Sequence, residues 1–262
     1  MPGLSKNQKI FIGSIINNLR YGGYSNYPRI ETLKNDVILL PTKNGKIDYD
    51  FMDEYINSIE EECVEKISFY LMASQLDNYE LTEDELLAIK NYDKVSYDKY
   101  DITKIFDIKN TKNILSRDVE NRIGDAPYLC ASSENNGVSN YISYDEKLKD
   151  KGDCIFIGGK TFVVTYQKSD FYSNDSHNLV LYLKNYDTTR FNQLYLVTCI
   201  EKSLSYKYSW GDSVSRTKIE KDTIMLPTKK GKPDFVFMNT LMTAIHKLIV
   251  KDIVYYTKNK CL

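Results

Sequence analysis

The chain has 262 residues, 42% hydrophobic and 27% charged, so wholesale disorder and a collagen-like repeat are excluded and one large domain or two smaller ones fit the length. Its net charge of −1 hides a partition: residues 1–47 carry +5, residues 48–92 carry −11, residues 93–233 carry +3 and residues 234–262 carry +2. That pattern fits basic parts facing a polyanion with an acidic segment turned elsewhere, or simply a solvated acidic helix face.

In chain order, the opening Met1-Pro2-Gly3-Leu4-Ser5-Lys6 lacks the basic-then-apolar layout of a signal peptide. No apolar run reaches the roughly 18–20 residues of a membrane span. Residues 36–52 then introduce a segment that recurs. Asp36-Val37-Ile38-Leu39-Leu40-Pro41-Thr42-Lys43-Asn44-Gly45-Lys46 through Phe51-Met52 returns, 186 residues later, as Asp222 to Met238, and Ile10–Ile16 matches Leu194–Ile200 at a spacing of 184. A period this long is a domain duplication. The chain is expected to hold one complete unit and the tail of a preceding one, and so to begin mid-unit.

Each copy reads alike. A β-rich run, Val37–Leu40 or Thr223–Leu226, is stopped by Pro41 or Pro227 and a Lys-x-Gly-Lys turn. Asp48 or Asp234 then stands where an N-cap is needed. A long helix follows in each case. In the first, Met52, Ile56, Ile59, Cys63, Ile67 and Leu71 recur at three- and four-residue steps; in the second, Met238, Leu241, Ile245, Leu248, Ile249, Ile253 and Tyr256 do so. Helices of about 35 Å with such stripes suit a two-helix coiled coil, or two ordinary core helices. Glu60-Glu61-Glu62 is expected to face solvent. Leu81–Ile89 opens with a T-x-x-E capping box and predicts a short helix.

Residues 93–200 differ in kind. Short β-leaning runs (Tyr128–Ala131, Tyr141–Tyr144, Cys154–Gly158, Thr161–Tyr166, Leu179–Leu183) are broken by Asn, Gly, Ser and Asp, and Phe191–Leu204 predicts a closing helix. The fold class expected is therefore mixed α+β: a globular α/β module carried with long helices. The domains are 1–47, a C-terminal remnant of a first module; 48–92, a spacer helix and short linker helix; 93–233, the module; and 234–262, a second spacer helix.

Known catalytic patterns are missing. Gly159-Lys160-Thr161 resembles the end of a P-loop, but Cys154 stands where that loop needs its first glycine. G-x-G-x-x-G and G-x-S-x-G are both absent, as are the methyltransferase and nuclease patterns. Five scattered cysteines (Cys63, Cys130, Cys154, Cys199, Cys261) and two histidines suggest reduced thiols and no metal centre. A non-catalytic, cytoplasmic part is expected. What the chain does contain are side chains able to read base edges: Ser132, Ser133, Asn135 and Asn136, continued by Lys160, Thr161, Gln167, Lys168, Ser173 and Asn174. Lys207, Trp210, Arg216 and Lys218 form a basic-aromatic cluster suited to phosphate. His177 is expected to be a loop hydrogen-bonder, not a base.

The L-P-T-K-x-G-K-x-D-x-x-F-M junction before each helix resembles that of specificity (S) subunits of type I or type IIB/IIG restriction–modification systems. Ala126–Ser139, Ile157–Gln167, Asp170–His177 and Lys207–Gly211 resemble their target-recognition domains. The resemblance implies recognition domains that each read half of a split duplex DNA target and are held apart by antiparallel spacer helices. It also implies methyltransferase subunits that grip those helices and carry S-adenosylmethionine, a restriction subunit as a further partner, and no cofactor in this chain. Because the first recognition domain is a remnant, the chain is a half-length subunit that pairs with itself, a truncated gene product or a fragment. The alternative is an interaction or decoy subunit that docks methyltransferase through its helices without reading DNA.

Overall fold

The computed structural model describes residues 3–19, 21, 29–119, 123–187 and 189–260, and divides into two compact units, residues 1–79 with 248–262, and residues 80–247. Cys261 and part of the predicted 1–47 segment lie outside the described residues.

In the first unit, helix α1 (Lys6–Asn17) starts at a reciprocal capping box between Ser5 and Gln8. A hairpin of β1 (Thr42–Lys43) and β2 (Lys46–Ile47) follows. Its turn residues Asn44 and Gly45 have φ of 55° and 74°, the sign a type I′ turn requires at both central positions. Asp48 then caps α2 (Tyr49–Ala73), accepting the Phe51 amide at 3.0 Å. Asn7 of α1 donates to Asn57 of α2, and Phe11 stands edge-on to both Phe51 and Tyr55.

The second unit opens with α3 (Glu83–Lys90), capped through the predicted Thr82–Glu85 box. Strands β3 (Tyr97–Asp101), β4 (Phe106–Asn110), β5 (Ala126–Leu129), β6 (Val138–Ile142), β7 (Cys154–Ile157), β8 (Val164–Gln167), β9 (Tyr172–Ser173) and β10 (Leu179–Leu183) precede α4 (Arg190–Leu204). β11 (Thr223–Lys229) and β12 (Lys232–Pro233) lead into α5 (Phe235–Lys260). In an antiparallel sheet of order β4-β10-β7-β8, the central β7 and the first three residues of β10 are buried on both faces. Ile155, Ile157, Leu179 and Leu181 face one cluster with Leu196 and Ile200 of α4, while Phe156 and Val180 face Leu129 and Phe171. Covering both sides is why these strands read as continuous apolar runs. Two further sheets of this unit have the orders β12-β11-β3 and β6-β5-β9, the β5–β9 pair being parallel.

The duplication is visible in detail. Lys230 and Gly231 repeat the two positive φ values, Asp234 accepts the Phe237 amide at 2.9 Å, and Asp48 and Asp234 each donate their own amide to Pro41 or Pro227 at 2.8 Å. Tyr195 and Phe237 meet edge-on at 6.5 Å, where their counterparts Phe11 and Phe51 meet at 6.2 Å. Met52 and Met238 are both fully buried.

The predicted strand at Val37–Leu40 is a correction: no strand forms there, whereas Thr223–Pro227 pairs with β3. A β-leaning run becomes a strand only where a neighbour takes its backbone groups, and among the described residues nothing pairs with 37–40. The run expected from Thr161 begins as strand only at Val164, because Phe162 turns the chain with φ 55°.

Residues 248–260 of α5 belong to the first unit and run antiparallel to α2 there: Leu71 clusters with Val250 and Val254, and farther along Glu60 accepts from the Tyr256 hydroxyl and the Lys260 ammonium. Glu60 is thus half-buried against its neighbour, while Glu62 pairs with Lys66 on an exposed face. Valines hold the seam, so much of the predicted stripe stays uncovered: Ile59, Cys63 and Ile67 on α2 and Leu248, Ile249 and Ile253 on α5 are exposed. No described helix is long and apolar enough to cross a membrane.

Candidate nucleic-acid interface

Antiparallel pairing dictates where the loops go. β10 begins opposite the end of β7, and β4 ends opposite the start of β10, with Leu179 facing both Ile157 and Asn110. The β7–β8 turn, the segment before β10 and the exit of β4 therefore share one end of the four-stranded sheet. Hydrogen bonds bring two more loops to the same place. Thr161 donates its hydroxyl to the Ala131 carbonyl at 2.9 Å, drawing in the loop after β5. Val214 donates its amide to Gly159 at 3.0 Å, drawing in the segment before the helical turn Arg216–Ile219.

Gly159 is the junction. A Cβ there would stand 2.4 Å from the His177 carbonyl oxygen, so only glycine permits the approach. Its amide donates to the buried Asn178 side chain, whose own amide donates to Ser173 and Asn174. Asp175 accepts from the backbone and ring of His177 and pairs with Lys160 at 3.2 Å. Burial works against the Asp175 carboxylate, but the His177 amide and imidazole and the Lys160 ammonium outweigh it and hold its pKa below the ordinary range.

The predicted residues divide by what they do in this frame. Asn135 and Asn136 adopt φ of 45° and 54° in the β5–β6 loop, a conformation asparagine tolerates better than most residues. Their side-chain amides donate to Val138 and Tyr166, both at 3.0 Å. Gln167 and Ser173 are buried and bonded within the chain, so they hold loops in place and present nothing outward. Ser132 accepts the Glu134 amide; Ser133 precedes that turn, and Asn174 donates its amide to Leu129. Lys168 is exposed and makes no ion pair among the described residues.

The basic-aromatic cluster is closer to neutral than its composition suggests. Lys207 pairs with the buried Asp222, Arg216 with Glu220 and Lys218 with Asp212. Asp222 also accepts from Tyr208, and burial together with that contact pushes the Tyr208 hydroxyl well above its usual pKa. Trp210 rides a tight turn closed by mutual Ser209–Asp212 backbone bonds and is 81% exposed, with Tyr206 at 85%.

Sequence reasoning missed Thr111 and Asn178, which tie the β4 exit and the β10 entry to Ser173. Asp175-Ser176-His177-Asn178 reads as a turn, and that turn signal was the available clue. Cys63, Cys130, Cys154 and Cys199 are free thiols.

The family model for type I restriction modification DNA specificity domains matches residues 94–253. The specificity subunit S.BcgI of a type II restriction enzyme from Heyndrickxia coagulans is 25% identical over 256 residues, which is 94% of this chain and 69% of that protein. Among solved structures, the S subunit of a type I restriction–modification system from M. genitalium aligns over 97% of this chain and 66% of its own, with a TM-score of 0.50 and 15% identity. An HsdS subunit from Thermoanaerobacter tengcongensis aligns over 96% and 62%, with a TM-score of 0.42 and 14% identity. The chain thus spans less than two thirds of the length of these solved subunits.

Proposed function

Since the chain belongs to the family of type I restriction modification DNA specificity domains, we propose that it is a non-catalytic, sequence-specific DNA-recognition subunit that directs methyltransferase subunits to a split duplex target. The observation that carries this reading is the family match itself, which spans the module and most of α5. The converging loops support it: they offer Asn, Ser and Lys groups, two exposed aromatic rings and a pinned backbone at one end of a rigid sheet. Residues 93–233 form the reading head, with 48–92 and 234–262 as spacer and docking surface. Lysines set affinity through phosphate contacts, so binding falls steeply with salt; base-edge contacts from Ser132, Ser133, Asn135 and Asn136 set preference.

The exposed apolar residues along α2 and α5 support docking of methyltransferase, which carries S-adenosylmethionine, with a restriction subunit joining the assembly in the cytoplasm. The two helices act as a coiled-coil ruler. Two copies paired about a two-fold axis would read a palindromic split site, and size-exclusion mass of the isolated chain tests that pairing. The function is tested by selection from a random duplex library by the chain with its methyltransferase. Enrichment of one split motif supports the proposal; equal retention of all sequences overturns it.

A further inference from the structure

The loop between β9 and β10 carries a histidine that is anchored by one ring nitrogen and otherwise open to solvent. Its anchor, Asp175, is itself pinned: the Asp175 carbonyl accepts from the Thr111 hydroxyl at 2.7 Å and from the Asn178 amide at 3.2 Å. One carboxylate oxygen of Asp175 takes both the His177 amide at 2.9 Å and the ring Nδ1 at 2.7 Å. The Lys160 ammonium lies 3.2 Å from the other oxygen. The Asp175 side chain is 25% exposed, whereas that of His177 is 76% exposed, and its Nε2 has no hydrogen-bond partner among the described residues.

That arrangement decides which ring nitrogen carries the proton. An ionised carboxylate only accepts, and the contacts from His177 and Lys160 favour the ionised form of Asp175. Nδ1 is therefore the N–H, and in the neutral imidazole Nε2 is left as a lone-pair acceptor. Because the ring is already oriented, little rotamer freedom is lost when it meets a ligand. In the major groove an acceptor is matched by the exocyclic amino groups adenine N6 and cytosine N4. Guanine O6 and N7 and thymine O4 would oppose it lone pair to lone pair.

We propose that His177 is a specificity-determining residue of the reading head, its Nε2 accepting a hydrogen bond from one such amino group, with Asp175 as the residue that positions it. Lys160, tied to the same carboxylate, sets a donor beside this acceptor, and adenine offers the matching pair of N7 and N6. The assignment rests on the DNA-recognition proposal above and adds to it the hydrogen-bond polarity of one contact.

The test uses the chain with its methyltransferase at pH 8 and the motif selected from the random duplex library. Each adenine of the motif is replaced in turn by purine and each cytosine by 2-pyrimidinone, which deletes one exocyclic amino group at a time. In His177→Ala, affinity for the intact motif is expected to fall about fivefold, the worth of one hydrogen bond. At one analogue position the parent and His177→Ala then bind alike, and the base replaced there, adenine or cytosine, identifies the amino donor. His177→Lys, which can only donate, shifts preference at that position toward guanine or thymine. Unchanged affinity in His177→Ala, equal loss on motif and random duplexes, or unaltered preference in His177→Lys overturns the proposal. So does a parent chain indifferent to every amino deletion, a result that needs no variant to fold. Equal retention of all duplexes by the parent would remove the DNA-recognition proposal and this one with it; a motif read by the parent and unaffected by His177→Ala removes this one alone.

Discussion

The Ser5 hydroxyl accepts the Gln8 amide and donates to the Asp53 carboxylate, so one oxygen both caps α1 and ties it to α2. The duplication preserves the device: Thr189 accepts the Asn192 amide and donates to Asn239. Thr189→Ala removes a cap and a tie between α4 and α5 at once. It is expected to cost about 1–2 kcal/mol, measured as a lower urea midpoint with an unchanged slope.

Gly159→Ala forces a Cβ against the His177 carbonyl, a backbone group that cannot swing aside. The expected outcome is a stability loss of about 1–3 kcal/mol together with weakened DNA binding, because Gly159 joins the β7–β8 turn to the loops at 173–178 and 214. Calorimetry and a binding titration check both parts. Unchanged DNA affinity in a destabilised variant would detach the junction from recognition.

Asp175 gives a pH dependence of definite sign. Its pKa is lowered in the folded chain, so the stability it adds is present above its unfolded value of about 4 and is lost as pH falls through the folded value. Asp175→Asn should therefore be less stable than the parent at neutral pH. The difference should shrink toward zero at strongly acid pH. Urea titrations across that range measure it.

Glu60 holds the far end of the helix pair through Tyr256 and Lys260. Glu60→Gln is expected to speed amide exchange in residues 250–260 without changing exchange in β7 or β10. Raising salt should move the parent toward the variant, since the pair is exposed to screening.

Trp210 projects from the loop frame and is not used to hold it, while Lys168 follows β8 at the opposite end of the sheet, where Gln167 faces Cys154, and is exposed without an ion pair among the described residues. Lys168→Ala should lower affinity for all duplexes alike and reduce the salt slope by about one. Trp210→Ala should weaken binding with little change in unfolding midpoint, as expected for so exposed a side chain. Identical binding by the Trp210→Ala chain would remove that ring from the interface.

The duplicated junction, the two long helices and the Thr82 box were legible because their signals are local: a proline stop, an Asn-Gly turn, an aspartate cap and apolar steps along one face. The strand at 37–40 was misread because a strand is completed by its neighbour, which the local sequence does not contain. The same limit governs the interface. That Ser132, Lys160, Asn174 and Trp210 sit in segments meeting at one end of a sheet depends on the Thr161–Ala131 and Val214–Gly159 bonds, which join residues 30 and 55 positions apart. Gln167 reads as a surface amide, yet the last position of β8 turns it inward to the Asn136 carbonyl.

The buried ties among Thr111, Ser173, Asn178 and Gly159 do their work without help from the side chains that point outward. Mutation at exposed loop positions such as 133 or 134 is therefore expected to alter what is recognised while the chain still folds, so new preferences can arise by single substitutions, each tolerated on its own. A scaffold of this kind lets a lineage change its target faster than it changes its architecture.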